Sequence, residues 1–280
     1  MLTDAFEKRL IGWMIVWRKR RGLVMMQIDR KKVKSVFAAY VENYNSKDEK
    51  VRLKIEHTYR VAELCEQIAK SIGCTEYEAD LSWLTGMLHD IGRFEQLKNY
   101  GTFIDAESID HAAYGADILF KEGKIRDYIE DSEEDELIEN AVRFHSAYRL
   151  PESFDERTKK FSDILRDADK VDILKVNVDF PLEEIYNVTT EELRNAEVTT
   201  EVMKSLQEKQ ATLRSLKKTS VDHVVGHISL VFELVYVESV RVVKEQGYLE
   251  KLLSFQSWNE KTREQFQKIR AVMEEYLVEM

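Results

Sequence analysis

His89 and Asp90 are neighbours in the segment Leu84-Thr85-Gly86-Met87-Leu88-His89-Asp90-Ile91-Gly92-Arg93. One short piece of backbone there offers both an imidazole nitrogen and a carboxylate. A carboxylate has two oxygens and can bridge two cations. Imidazole combined with carboxylate suits Fe, Mn, Zn or Co better than Ca or Mg. A single His-Asp dipeptide arises often by chance, so its weight depends on its company. His57 stands one helix earlier, in Lys54-Ile55-Glu56-His57-Thr58-Tyr59-Arg60. His111 follows in Ser108-Ile109-Asp110-His111-Ala112, and His145 in Val142-Arg143-Phe144-His145-Ser146. The segment Leu165-Arg166-Asp167-Ala168-Asp169-Lys170-Val171-Asp172 supplies further carboxylates.

The ordered series His57, His89-Asp90, His111, His145 and Asp169 resembles the HD superfamily of metal-dependent phosphohydrolases, in the members that hold two metals. The resemblance covers about residues 50 to 175, and four of the six histidines in the chain fall into the pattern. It implies an all-α HD-domain helical bundle with additional C-terminal helices. It also implies that His57, His89, Asp90 and Asp169 bind a first divalent transition metal. His111 and His145 would bind a second, with Asp90 bridging; some members hold only one ion. Asp169 is preferred over Asp167 because the family places this ligand directly before a basic or polar residue, here Lys170. Asp172, one turn further, could support a ligand from behind. The chemistry is sound in itself: two cations about 3.5–4 Å apart activate a water and neutralise charge on a phosphoryl oxygen.

Cations near these residues are candidates to hold phosphate. Arg93 and Lys170 are the preferred catalytic residues, because short tethers to the ligands limit where they can point. Arg60, one turn beyond His57, and Arg143, near His145, are further candidates, and any one of the four can instead be a surface ion-pair partner. Glu56 and Asp110 each adjoin a histidine and either orient its ring or stay solvated. His223 and His227 are spaced i, i+4 on an apolar helix. No Glu follows the first of them, so the helical zinc-protease pattern is not met. They read as buried, hydrogen-bonded residues or as a pocket wall.

Helices must position these groups, since apolar residues recur at helical spacing nearly everywhere. Val33 to Val41 mark one helix, and Val51 to Ile68 a second that Gly73 stops. Thr75 caps a third, with Glu78 completing a capping box. That helix should end near Asp90 with Gly92 as stop, followed by a polar loop from about Glu95 to Glu107. Ser108 should cap the helix that runs through Leu119. His145 should close a helix begun near Leu137, and Asp169 should lie within one from about Glu156 to Leu174. Residues 191–218 read as short surface helices. Ser220 to Lys244 reads as one strongly apolar helix, with two more after it. Residues 29–215 are the expected metal-binding domain, and residues 216–280 helices packed on it.

The whole chain agrees with this reading. Only 2 of 280 residues are Pro and 10 are Gly, too few for the turns of a β-rich fold. The 52 acidic and 42 basic residues leave a net charge of −10, which disfavours non-specific nucleic-acid binding but not a small anionic substrate in a local basic pocket. Cys65 and Cys74 read as reduced thiols of a cytoplasmic protein. No stretch approaches the roughly 20 apolar residues of a membrane span. Two readings of residues 1–28 stand open. One is a start of translation at Met25 or Met26; the other is an amphipathic helix with Ile11, Met14, Ile15 and Trp17 on its apolar side.

The expected activity is hydrolysis of a nucleotide or other small phosphorylated metabolite. One alternative is a di-iron oxygenase of the inositol-oxygenase kind, which uses the same ligand series. The other is a non-catalytic nucleotide-binding regulatory module, against which the intact ligand series argues. After His145 the chain reads Ser146-Ala147-Tyr148-Arg149, without the Gly-Tyr-Pro of cyclic-dinucleotide members, so that substrate is disfavoured.

Overall fold

Helix α1 (Arg30–Val41) opens a computed structural model that describes residues 28–280. Both readings of the N-terminal stretch fall outside the described residues. Asp29 caps α1 through the amides of Lys31 and Lys32, and Val33, Phe37 and Val41 are buried at four-residue spacing. Helix α2 (Glu49–Ser71) carries His57 at its centre. Helix α3 (Glu76–Leu88) begins at the Thr75–Glu78 capping box, as the sequence pattern predicts, and delivers His89 and Asp90 at its C-terminal end.

The chain then departs from expectation. Gly92 does not stop a helix; it sits in the first turn of α4 (Ile91–Tyr100), where a loop was expected from Glu95. Phe94 draws α4 inward, with its ring against Phe37, Tyr40 and Tyr44 at 5.9, 5.9 and 5.4 Å. The Tyr40 hydroxyl also donates to the carbonyl of Ile91 at 3.1 Å. Helix α5 (His111–Ala116) is capped by Asp110 rather than Ser108, and a π-helical turn over Asp117–Lys121 extends it. The Ser108 hydroxyl instead donates to the carbonyl of Ile104 and accepts from Gln96, inside the connecting loop.

Helix α6 (Ile125–Tyr128) is short, and α7 (Asp135–Phe144) ends at His145. The long α8 (Glu156–Asp179) carries Asp169 and runs beyond the expected end at Leu174. Short helices α9 (Leu182–Tyr186), α10 (Thr190–Asn195) and α11 (Thr200–Gln207) follow. The apolar stretch from Ser220 is not one helix but two, α12 (Ser220–Ile228) and α13 (Val237–Gln246), with a 3-10 turn after the first. The break has one local cause and one from across the core. The Ser229 hydroxyl bonds the carbonyl of Gly226, and the buried Asp167 carboxylate takes the amides of Val235 and Tyr236. Helices α14 (Tyr248–Leu253) and α15 (Glu260–Glu279) close the chain.

The described residues are all-α, with no strand. None of their helices is long and apolar enough to cross a membrane. Cys65 and Cys74 are free thiols. Two apolar cores form, and α2 and α8 feed both. One lies toward α1, α3, α6 and α7; the other lies toward the C-terminal helices, of which α12, α13 and α14 pack directly on α8. Between them, α2, α3 and α8 are in mutual contact. Polar groups can be buried there because neighbouring helices supply their partners.

Gly92 sets the approach of α4 to α5. A Cβ at this position would lie 2.2 Å from the carbonyl oxygen of His111 and 2.7 Å from the amide nitrogen of Gly115. Both contacts are backbone, so the helices would have to part. Gly92→Ala should cost about 1–3 kcal/mol by overpacking. Thermal denaturation followed by circular dichroism should show a fall of roughly 2–4 °C for each kcal/mol. An unchanged midpoint would mean that α4 and α5 separate freely.

Candidate metal centre

Five helices bring His57, His89, Asp90, His111, His145 and Asp169 to one place. All four imidazoles and Asp90 are at most 4 % exposed. Asp169 is the open edge, with 20 % of its side chain exposed. The Nε2 atoms of His57 and His89 lie 3.2 Å apart, and those of His111 and His145 lie 3.1 Å apart. Asp90 stands between the two pairs. Its Oδ2 is 3.5 Å from His57 Nε2 and 3.4 Å from His89 Nε2. Its Oδ1 is 3.5 Å from His111 Nε2 and 3.7 Å from His145 Nε2. Asp169 Oδ1 joins the first pair, 3.1 Å from His57 Nε2 and 3.9 Å from His89 Nε2.

The far side of every ring is held. His89 Nδ1 donates to the carbonyl of Gly86 and His145 Nδ1 to that of Val142, both at 2.7 Å. These acceptors are in the preceding turn, so each ring is locked by its own helix end. His57 Nδ1 donates to Asp172 Oδ2 at 2.6 Å, and His111 Nδ1 to Asp105 at 2.9 Å. A neutral imidazole that donates from Nδ1 has a bare lone pair on Nε2. The fold therefore turns four lone pairs and two carboxylates toward each other. Lone pairs that close repel unless a cation lies between them, so the donor set fits a divalent metal.

Electrostatics agree for most of the cluster. Burial holds His89 below its ordinary pKa. Burial and the Arg93 charge take His111 down to about 3. Burial opposes the Asp90 and Asp169 carboxylates, yet Lys54 and the imidazoles keep Asp90 ionised, and the imidazoles do the same for Asp169. His57 differs. Burial and Lys54 press its pKa down, and Asp169 and Asp172 more than offset them.

The remaining sequence candidates scatter. Arg60 makes a two-pronged bond to Asp172, at 2.6 and 2.9 Å, and so supports His57 from behind. Arg93 Nη1 is committed to Asp105, Gln96 and the carbonyl of Phe103, and its Nε lies 3.7 Å from Asp90 Oδ1. Lys170 Nζ donates to the carbonyl of Glu233 at 3.2 Å. Burial, with Arg166 adding to it, lowers the Lys170 ammonium to about 8. Arg143 pairs with Asp117 and Glu139. Glu56 is exposed beside Arg52 and Arg60, and Asp110 is spent on its cap, so neither orients a ring. Asp167 binds backbone amides and the Ser239 hydroxyl rather than the histidines.

Three residues escaped the sequence reading. Lys54 Nζ reaches Asp90 Oδ2 at 2.7 Å; its place three residues before His57, on the same helix face, was the available signal. Asp105 lies in the stretch read as loop, where no periodicity ties it to His111. Arg166 is buried and donates to the carbonyls of Phe144, His145 and Ala147, which fixes the end of α7 that carries His145.

The family model of the HD domain matches residues 55–174. Residues 55–174 are thus similar to an HD domain. The matched span contains all four clustered histidines, Asp90 and Asp169, together with Asp105 and Asp172. Neither a search of curated proteins nor one of solved structures found a match. The HD domain with these His/Asp groups is compatible with divalent metal binding. Helices α12 to α15, and the loop before α12, lie beyond the HD match.

Asp172→Asn and Asp105→Asn should each weaken divalent metal binding by about 10–100-fold, because each leaves one imidazole without its orienting carboxylate. Metal titration against a competing chelator measures this. Unchanged affinity in both variants would mean that packing alone orients the rings.

Proposed function

We propose that this protein is a metal-dependent phosphohydrolase acting on a nucleotide or other small phosphorylated metabolite. The observation that carries the reading is the Asp90 carboxylate, with one oxygen toward each pair of bare imidazole nitrogens. His57, His89, Asp169 and Asp90 Oδ2 form one ligand set; His111, His145 and Asp90 Oδ1 form the other. Two ions of Fe, Mn, Co or Zn suit such nitrogen and oxygen donors. Ions held there supply Lewis acidity toward a phosphoryl oxygen and acidify a water nucleophile.

The chain supplies the rest. Asp90 and Asp169 fix the spacing of the ligand sets. Lys54, salt-bridged to Asp90, adds positive charge at the edge where a phosphate oxygen would approach; its ammonium also lies 5.5 Å from the Phe103 ring centre. Lys170 follows the open-edge residue Asp169 and is the cation proposed to meet substrate there. Arg93 acts differently from the sequence expectation. Its Nη1 is taken by Asp105, so its loss should disturb His111 as well as substrate.

Metal analysis of anaerobically purified protein, followed by a phosphate-release screen over nucleotides and sugar phosphates, tests the reading. One to two equivalents of transition metal and metal-dependent phosphate release are expected. Asp90→Ala should lose both, while His111→Ala or His145→Ala should lose one ion more than the other. Lys170→Met should weaken turnover with metal content intact, whereas Arg93→Met should lower both. Substrate-dependent O₂ uptake by the iron-loaded protein, with no phosphorylated compound hydrolysed, would sink the hydrolase reading.

A further inference from the structure

Outside the HD match, α12 and the loop before it place a second set of ionisable groups together. His223, Gly226 and His227 share one helix face, being spaced i, i+3 and i+4. The Lys217 side chain lies across that face at Gly226. A Cβ there would fall 2.3 Å from Lys217 Cε and 2.5 Å from its Nζ. The glycine is what admits the ammonium. Among the described residues, no acceptor lies within hydrogen-bond distance of Lys217 Nζ, and none pairs with His223. The acid that does act on Lys217, Asp222, is occupied. Its oxygens take the amides of Thr199, Lys218 and Thr219, at 2.8, 2.9 and 3.1 Å.

The histidines are built into the same wall. The Tyr186 ring stacks on both, with centroids 5.2 Å from His223 and 5.8 Å from His227. Asn177 Nδ2 donates to the carbonyl of Ile173, so Asn177 Oδ1 accepts from the Tyr186 hydroxyl, which in turn accepts from His227 Nδ1. Two links connect this wall to the metal centre. Arg214, three residues before Lys217, donates to Asp105 at 3.1 Å, and Asp105 holds His111. His227 also feels the Asp169 carboxylate, on the open edge of the cluster. A partly buried ammonium without a hydrogen-bond acceptor is unfavourable alone and favourable once an anion arrives.

We infer that Lys217, laid over Gly226 beside His223 and His227, is an anion subsite that takes a second phosphate group of the substrate. The assignment rests on the phosphohydrolase reading and narrows it. The substrate class is a metabolite with two phosphate groups, such as a nucleoside diphosphate, with one group at the metal cluster and the other at Lys217.

Isothermal titration of the full chain with inorganic phosphate, after divalent ions are removed by chelation, tests the subsite apart from any activity. One binding event is expected, weakened about tenfold or more in both Lys217→Met and Gly226→Ala, the loss of one charge-assisted contact. Gly226→Ala keeps the charge and displaces only the flexible end of Lys217, so it guards against misfolding of the first variant. Circular dichroism checks both. No phosphate binding by the wild-type chain, or equal binding by all three proteins, overturns the subsite. With metals restored, both variants should raise KM for nucleoside diphosphates about tenfold and leave that for monophosphates nearly unchanged. A KM that rises equally for both classes overturns the second-phosphate assignment. If no compound is hydrolysed while phosphate binding is lost in both variants, the hydrolase reading fails and the anion subsite stands.

Discussion

The Asp90 carboxylate is the constraint on which the structure turns. It is nearly inaccessible to water, and each of its oxygens faces a different pair of imidazoles. A buried carboxylate is costly unless charge and hydrogen bonds surround it. Lys54 gives one ammonium at 2.7 Å and Arg93 a guanidinium nitrogen at 3.7 Å, and imidazole nitrogens face the rest of the carboxylate. The helices that meet at Asp90 must then be held by forces that do not depend on it. The two apolar cores on either side provide them, and α2 and α8 belong to both. The cluster is thus carried in part by helices packed into both cores, where a side chain can be fixed in direction.

The support behind the clustered histidines follows one rule in two forms. Where a histidine ends a helix, the carbonyl three residues back receives its Nδ1, as at His89 and His145. Where a histidine lies within or at the start of a helix, its own turn has no spare carbonyl pointing that way. A distant carboxylate then does the work, Asp172 for His57 and Asp105 for His111. Each such carboxylate has its own arginine, Arg60 or Arg93, which keeps it ionised and aimed. Sites built this way resist rearrangement because each charge is oriented by another.

Helix α8 links the cluster to everything after it. Asp169 faces the histidines and Asp172 supports His57. Elsewhere on the same helix, Arg166 fixes the end of α7, Asp167 terminates the 3-10 turn after α12, and Asn177 orients Tyr186 and through it His227. The C-terminal helices therefore take their positions from the helix that completes the histidine–aspartate cluster. Lys170 on α8 and Lys217 in the loop before α12, both partly buried, put positive charge near this junction in a chain whose net charge is −10.

Much of this was legible in the order of the residues. The scarcity of Pro and Gly and the helical spacing of apolar residues determined an all-α chain, because a helix needs only local hydrogen bonds and one apolar stripe. The Thr75–Glu78 capping box was readable for the same reason, since all its partners lie within one turn. His89-Asp90 and the other histidines stood out by residue type and order. What the sequence could not decide were contacts between elements distant in the chain. Nothing in the spacing of Phe94 from Phe37 and Tyr40 announced that α4 would form where polar residues suggested a loop. Nor did periodicity show that Asp167 would break the helix after Ile228 from across the core. Lys54 could be placed on the face of His57, but only the meeting of α2 with α3 put its ammonium against Asp90. Residue type and local spacing set which groups are available; long-range packing sets which of them meet, because a side chain's partner across a core is chosen by the fold of both segments together.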